Sequence, residues 1–189
     1  MLLVKTKEIL NTKPDSDEAA IERAKKDPKA FEVLYKKYFK EIFRFVHKKI
    51  QDDQETADLV SKVFIKSFKG ISDFQYKGIP YSAWLYRVAI NETNQYFRKS
   101  KTRHVVIDDQ MSDSIASEGE MMEERQALLD ELPDFINQLD PKELELIELR
   151  FYENMSFKQI GEIMDITETN SRVKTYRVLQ KLKGLISNG

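Results

Sequence analysis

Between residues 31 and 50 the apolar side chains Phe31, Leu34, Tyr35, Tyr38, Phe39, Ile42, Phe43, Val46 and Ile50 recur at three- and four-residue intervals. A strand has a period of two and would send about half of them into water, whereas a helix gathers them on one face. The spacing therefore predicts one long amphipathic helix. Asp27-Pro28 supplies a capping side chain and a first-turn proline ahead of it, and Gln51-Asp52-Asp53 breaks the pattern behind it. A second helix follows from about Gln54, with Leu59, Val60, Val63, Phe64 and Phe68 at helical spacing as far as Gly70. Gly78 and Pro80 interrupt, and Tyr81 to Lys99 resumes the helical pattern. Helical periodicity thus dominates from about residue 17 to 100. The one strand-like run, Val105-Val106-Ile107, is too short to build a sheet, so the expected fold class is all-α.

The periodicity stops at His104. From there to Glu124 the chain is rich in Asp, Glu, Ser and Met and holds no Lys or Arg, the composition of a linker. Apolar spacing returns with Leu128, Leu129, Leu132, Phe135, Ile136 and Leu139. The expected organisation is a helical domain over 17–103, an acidic linker over 104–126 and a second helical domain over 127–189. A chain of 189 residues is long enough for two such small cores. In the second domain Asp140-Pro141-Lys142-Glu143 and Ser156-Phe157-Lys158-Gln159 carry the capping-box pattern, and Thr167 is placed to cap a third helix.

The formal net charge of -1 conceals a strong polarity along the chain. Residues 21–103 hold 19 basic and 10 acidic side chains, residues 104–135 hold 1 and 10, and residues 136–189 balance at 8 and 8. A basic first domain suggests a polyanionic partner. With no cysteine and only His47 and His104, neither a disulfide nor an ordinary zinc site is expected. The Gly-rich and His-Glu signatures of nucleotide-binding and metal enzymes are missing. No enzyme activity and no cofactor are expected. No apolar run reaches the ~18 residues of a membrane span, and MLLVKTKEIL lacks the features of a signal peptide. A cytoplasmic protein without membrane insertion is the expectation.

The segment from Ser156 to Leu182 has the layout of a helix-turn-helix: Phe157 to Met164, a turn at Asp165-Ile166, and a longer helix from about Glu168. Ile160, Ile163 and Met164 face Ile166 and the inner positions Ser171, Val178 and Leu182. Asn170, Arg172, Lys174, Arg177 and Lys181 fall on the outward side, where a helix entering a major groove needs hydrogen-bond donors and phosphate partners. Solvated charges on an ordinary helical hairpin would give the same pattern. In the first domain, Tyr81 to Asn91 leads into Phe97-Arg98-Lys99-Ser100-Lys101-Thr102-Arg103. Aromatic faces beside cations suit melted DNA, whose bases stack and whose phosphates need neutralising. Trp84, at helical spacing with Leu85 and Val88, reads first as a core residue.

Four patterns in order carry a resemblance to a known family. Asp27-x-x-Ala30-Phe31-x-x-Leu34-Tyr35-x-x-Tyr38, Ala57-Asp58-Leu59-x-x-x-Val63-Phe64-Ile65, Trp84-Leu85-x-x-x-Ala89-x-Asn91 and the C-terminal helix-turn-helix resemble the extracytoplasmic-function (ECF) sigma factors of bacterial RNA polymerase. That resemblance implies a region 2 domain and a region 4 domain that together direct promoter-specific initiation. Its partners would be core RNA polymerase, promoter DNA as duplex and melted strand, and an anti-sigma factor. It places polymerase binding at Asp58, Leu59, Ser61, Lys62 and Ile65, although the Gln-Glu that many members carry is here Ser61-Lys62. The loop Gln75 to Pro80 would help form a pocket for a base flipped out of the minus-ten element, at a few kcal/mol of unstacking. Val88, Asn91, Asn94, Gln95 and Arg98 match strand-reading positions, with Lys99 and Lys101 as phosphate partners. Asn170, Arg172, Val173, Lys174, Tyr176 and Arg177 fall on the helix that faces the minus-thirty-five element, where Thr169-Asn170-Ser171-Arg172 departs from the common Gly-Thr-Val-Lys. The acidic linker, seven carboxylates from Asp108 to Glu124, would thread through the polymerase as a mimic of nucleic-acid phosphates, although a plain tether has the same composition. The rival functions are a stand-alone helix-turn-helix regulator that binds duplex DNA without polymerase, and a protein-binding adaptor.

Overall fold

The computed structural model describes residues 16–75, 79–100 and 138–187. The expected linker over 104–126, Lys101, and the apolar run from Leu128 to Ile136 lie outside the described residues.

The first helix, α1 (Asp17–Lys26), starts at Ser16, whose hydroxyl accepts from the Ala19 amide, and buries Ala20, Ile21 and Ala24. Asp27 then caps a single 3₁₀ turn, Pro28–Ala30, which runs into α2 (Phe31–Ile50). The helix predicted from the apolar spacing is therefore present, with its cap displaced one turn upstream of the regular α-helical bonds. Gln51 ends α2 in the left-handed conformation, and Asp52 caps α3 (Asp53–Gly70) through the Glu55 amide. Reversal within two residues lays α3 back along α2. The chain re-enters as α4 (Tyr81–Ser100), which packs on both.

The core of this bundle is the inner line of each stripe: Leu34, Ile42 and Val46 from α2, Val63 from α3, Leu85 and Ala89 from α4, all fully buried. Truncating Leu34, Ile42 or Leu85 to alanine costs about 2–5 kcal/mol. Asp17 ties three helices together. Its carboxylate accepts from the Tyr38 hydroxyl at 2.6 Å, pairs with Lys37, and lies 3.4 Å from the first amide of α4, that of Tyr81. Burial, and the bond to Asp17, push the Tyr38 phenol well above its usual range.

The second unit opens with α5 (Pro141–Ile147), whose Asp140–Glu143 capping box is complete. It then widens into one π-helical turn, Glu148–Tyr152, closed by bonds from the Glu153 amide to Glu148 O and from the Met155 amide to Leu149 O. The helix-turn-helix follows as α6 (Phe157–Met164) and α7 (Glu168–Ser187). The Ser156–Gln159 box caps α6, and Thr167 accepts from the Asn170 amide at 3.1 Å. Ser171, Val178 and Leu182 are buried as their spacing predicts, and the Ser171 hydroxyl donates to Phe157 O at 2.7 Å, holding the two helices at their junction. Replacing Ser156 by alanine removes the cap of α6 and should cost about 1 kcal/mol, read as a lower melting temperature by circular dichroism.

The two units meet along a seam where polar contacts accompany a continuous apolar core. Helix α4 packs against α6. The Lys49 ammonium pairs with the Glu148 carboxylate, both side chains largely buried. The Tyr86 hydroxyl donates to Glu153, Asn94 Nδ2 donates to Glu145 Oε1 at 2.8 Å, and Arg87 lies 3.9 Å from Asp165. Burial raises the Glu153 carboxyl above the usual carboxylate range, opposed by the Tyr86 hydrogen bond.

Candidate functional site

Two exposed polar faces and one exposed apolar face stand out, each built by the helix that carries it. On α7 the three-and-four spacing of the buried positions leaves Asn170, Arg172, Val173, Lys174, Tyr176 and Arg177 on the outside, all exposed. Val173 and Tyr176 are 41% and 53% exposed, large apolar side chains with no core to fill. Arg172 pairs with Glu168 at 3.5 Å one turn back and lies over the Phe157 ring, which aims its guanidinium along the helix N-terminus. Donors, a cation and an aromatic on the leading turns of the second helix form a face suited to base edges and phosphates.

On α4 the exposed positions are Asn91, Asn94, Gln95, Arg98 and Lys99, with Val88 half-buried beside them. These sequence-predicted residues share one face and extend to the helix C-terminus. The aromatic residues of the same helix divide differently. Tyr81 and Tyr86 are fully buried and belong to the core, and burial raises both phenols far above their usual range. Trp84 is half-buried, its ring tilted against those of Phe74 and Tyr81. It rests on Gly70, where an added Cβ would stand 3.0 Å from the indole, so the glycine leaves room for the ring. Beside it Gly70, Asp73, Phe74, Gln75, Ile79, Pro80 and Glu162 line a cavity of about 420 Å³; residues 76–78 of the loop expected to receive a base lie outside the described residues.

On α3 Asp58, Ser61, Lys62 and Ile65 are exposed, while Leu59 is buried and serves the core. Ile65 is 54% exposed and Phe68, one turn on, 40%. Tyr35 of α2 extends the apolar surface, with Phe68 edge-on to Phe31 and Tyr35 edge-on to Phe64. Sequence reasoning placed Phe68 and Tyr35 among the inward residues and missed their part in this face. An apolar surface rimmed by Asp58 and Lys62 is the anatomy of a protein-docking site. Among the described residues no group of His, Asp or Glu is arranged to hold a metal ion, and no helix is long and apolar enough to cross a membrane.

Comparison with known proteins agrees with this layout. The family model for Sigma-70 region 2 matches residues 34–103, and that for Sigma-70, region 4 matches residues 129–182. The chain is 29% identical over 181 residues to the ECF RNA polymerase sigma factor BldN of Streptomyces coelicolor, covering 91% of this chain and 68% of that protein. It is 26% identical over 157 residues to the ECF RNA polymerase sigma factor SigM of Bacillus subtilis, covering 82% of this chain and 94% of that one. The fold is shared with CnrH, solved in complex with the cytosolic domain of CnrY, at a TM-score of 0.62 and 17% identity over 92% of this chain and 99% of that chain.

Proposed function

Because the chain belongs to the ECF sigma factors, carrying sigma-70 regions 2 and 4 in order, we infer that it binds core RNA polymerase and directs promoter-specific transcription initiation, working with polymerase in the cytoplasm. The observation that carries this reading is the pairing of both regions on one chain. A stand-alone regulator would need the helix-turn-helix but not the basic first domain with its exposed apolar face. The family acts by binding and not by catalysis, and the residues are assigned accordingly.

Domain 17–103 is region 2. Its α3 face, Asp58, Ser61, Lys62 and Ile65 with Phe68 and Tyr35, docks on polymerase, and Leu59 supports that face from below. Its α4 face, Val88, Asn91, Asn94, Gln95 and Arg98, reads the melted minus-ten strand, with Lys99 and Lys101 on the phosphates. The cavity beside Trp84 takes the extruded base. Domain 127–189 is region 4, and Asn170, Arg172, Val173, Lys174, Tyr176 and Arg177 read the minus-thirty-five duplex. Residues 104–126 connect them, with their carboxylates toward the polymerase's nucleic-acid channel. An anti-sigma protein is the expected inhibitor, as a polypeptide that covers the docking face.

Run-off transcription by core polymerase over a promoter library, with and without the chain, tests the function directly: promoter-specific transcripts should appear only when both are present. On a promoter so found, Arg177→Ala should weaken binding and, where Arg177 holds a guanine, relax the preference at that base pair by roughly 1–3 kcal/mol. Competition binding with single-base variants of the minus-thirty-five element measures it.

A further inference from the structure

We propose that Phe157, the first residue of α6, is a positioning residue for promoter reading: its ring holds the Arg172 guanidinium on the outer face of α7 while leaving that group's hydrogen-bond donors open to DNA. The inference rests on the assignment of α7 to the minus-thirty-five duplex.

An exposed arginine is costly to use for recognition, because its long side chain must be ordered at the moment of binding. The Arg172 side chain is 55% exposed, yet two groups restrain it. Glu168, one turn back, approaches its Nη2 at 3.5 Å, and a contact of that kind engages the N–H groups that a base edge or a phosphate would need. The Phe157 ring restrains it in a different way. The guanidinium carbon lies over that ring, 5.2 Å from its centre, within the roughly 6 Å over which a ring face attracts a cation. A guanidinium held by its flat face keeps its in-plane N–H groups for another partner. The ring therefore orders Arg172 in advance without competing for the donors that DNA requires.

A ring can position another group only if it is itself fixed, and three contacts fix this one. Phe157 is half-buried and packs against the hydrophobic core. Its carbonyl accepts from the Ser171 hydroxyl at 2.7 Å, which ties its backbone to the residue next to Arg172. Arg150, from the π-helical turn, lies over the same ring at 4.8 Å and is anchored in its turn by donating to Met155 O at 3.2 Å. The Phe157 side chain has no hydrogen-bonding atom, so its influence on readout passes through Arg172. A residue that only filled the core would need apolar volume alone, which leucine supplies.

The test uses the full-length chain assembled with core polymerase, binding a fluorescein-labelled duplex that carries the minus-thirty-five element of a promoter identified by run-off transcription. Arg172→Ala should weaken binding roughly fivefold or more. Phe157→Leu, which keeps the apolar bulk, should weaken it roughly twofold to fivefold, the ratio that corresponds to a cation–π contact at an exposed site. Phe157→Tyr keeps the ring face and should bind as the parent does. In the Arg172→Ala chain, Phe157→Leu should cause no further loss, because the group it positions is gone; a general weakening of region 4 would add its full effect in both backgrounds. Equal losses from Phe157→Leu with and without Arg172 overturn the proposal, as does undiminished binding by Phe157→Leu in the parent, or a tyrosine variant as weak as the leucine one. Arg172→Ala binding as tightly as the parent is a different failure: it removes Arg172 from the reading surface, and the assignment beneath the proposal falls before the role of Phe157 is reached.

Discussion

Gly161→Ala should destabilise region 4 and reduce promoter-specific transcription while leaving region 2 folded. Alanine at a helical glycine normally gains up to about 1 kcal/mol, so the expected sign is the reverse of the usual one. The cause is local. A Cβ on residue 161 would stand 2.7 Å from Ile166 O and 3.3 Å from the Glu168 amide nitrogen, all backbone atoms of the turn between α6 and α7. The same turn closes on Gly161, whose carbonyl accepts from the Ile166 amide at 2.9 Å, so α6 and the turn cannot separate without losing that bond. Overpacking of this kind costs about 1–3 kcal/mol in a small unit with little stability to spare. Thermal unfolding by circular dichroism should show an early transition of the region 4 helices, and run-off transcription should fall by tenfold or more, since RT ln 10 is about 1.4 kcal/mol. A melting profile equal to the parent's would contradict the close approach of α6 to the turn.

Ile65→Asp should separate polymerase binding from folding. Ile65 is more than half exposed on α3 and contributes little to the bundle, so stability should change by no more than about 0.5 kcal/mol. At the centre of a docking face, a charge in place of an apolar side chain removes a contact worth roughly 2–4 kcal/mol, or about thirtyfold to a thousandfold in affinity for core polymerase. Fluorescence anisotropy of labelled chain titrated with core enzyme measures it. Undiminished affinity would move the docking surface elsewhere. Phe68→Asp is the less clean variant, because Phe68 also packs edge-on against Phe31.

Much of the architecture was legible because it is periodic. The stripe from Phe31 to Ile50 forms α2, preceded by the 3₁₀ turn that Asp27 caps, and the caps at Asp140, Ser156 and Thr167 act where the sequence predicts. Periodicity is also where the reading went astray. A three-and-four repeat describes a broad arc of the helix, wider than the core can cover, so Tyr35 at the edge of the α2 stripe and Phe68 at the edge of the α3 stripe remain outside and form part of the apolar face. Composition could not divide the aromatic residues of α4 into buried Tyr81 and Tyr86 and half-buried Trp84. The seam left no trace in the sequence. Lys49 and Glu148 are ninety-nine positions apart, and an isolated charge pair carries no repeat and no local motif. The π turn at Glu148–Tyr152 was equally silent, because the extra residue it accommodates matters only through what it turns toward Lys49 and Tyr86.

The junction at Asp17 bears on where a domain begins. The family model for region 2 starts at residue 34, yet the carboxylate that receives the Tyr38 hydroxyl, the Lys37 ammonium and the first amide of α4 stands seventeen positions earlier. A polypeptide cut at the border of sequence similarity would lose that acceptor together with Ala20, Ile21 and Ala24, and would uncover the side of α2 against which they lie. The unit that recurs among relatives and the unit that folds are therefore not the same length, and any dissection of this protein into autonomous pieces has to begin ahead of Asp17.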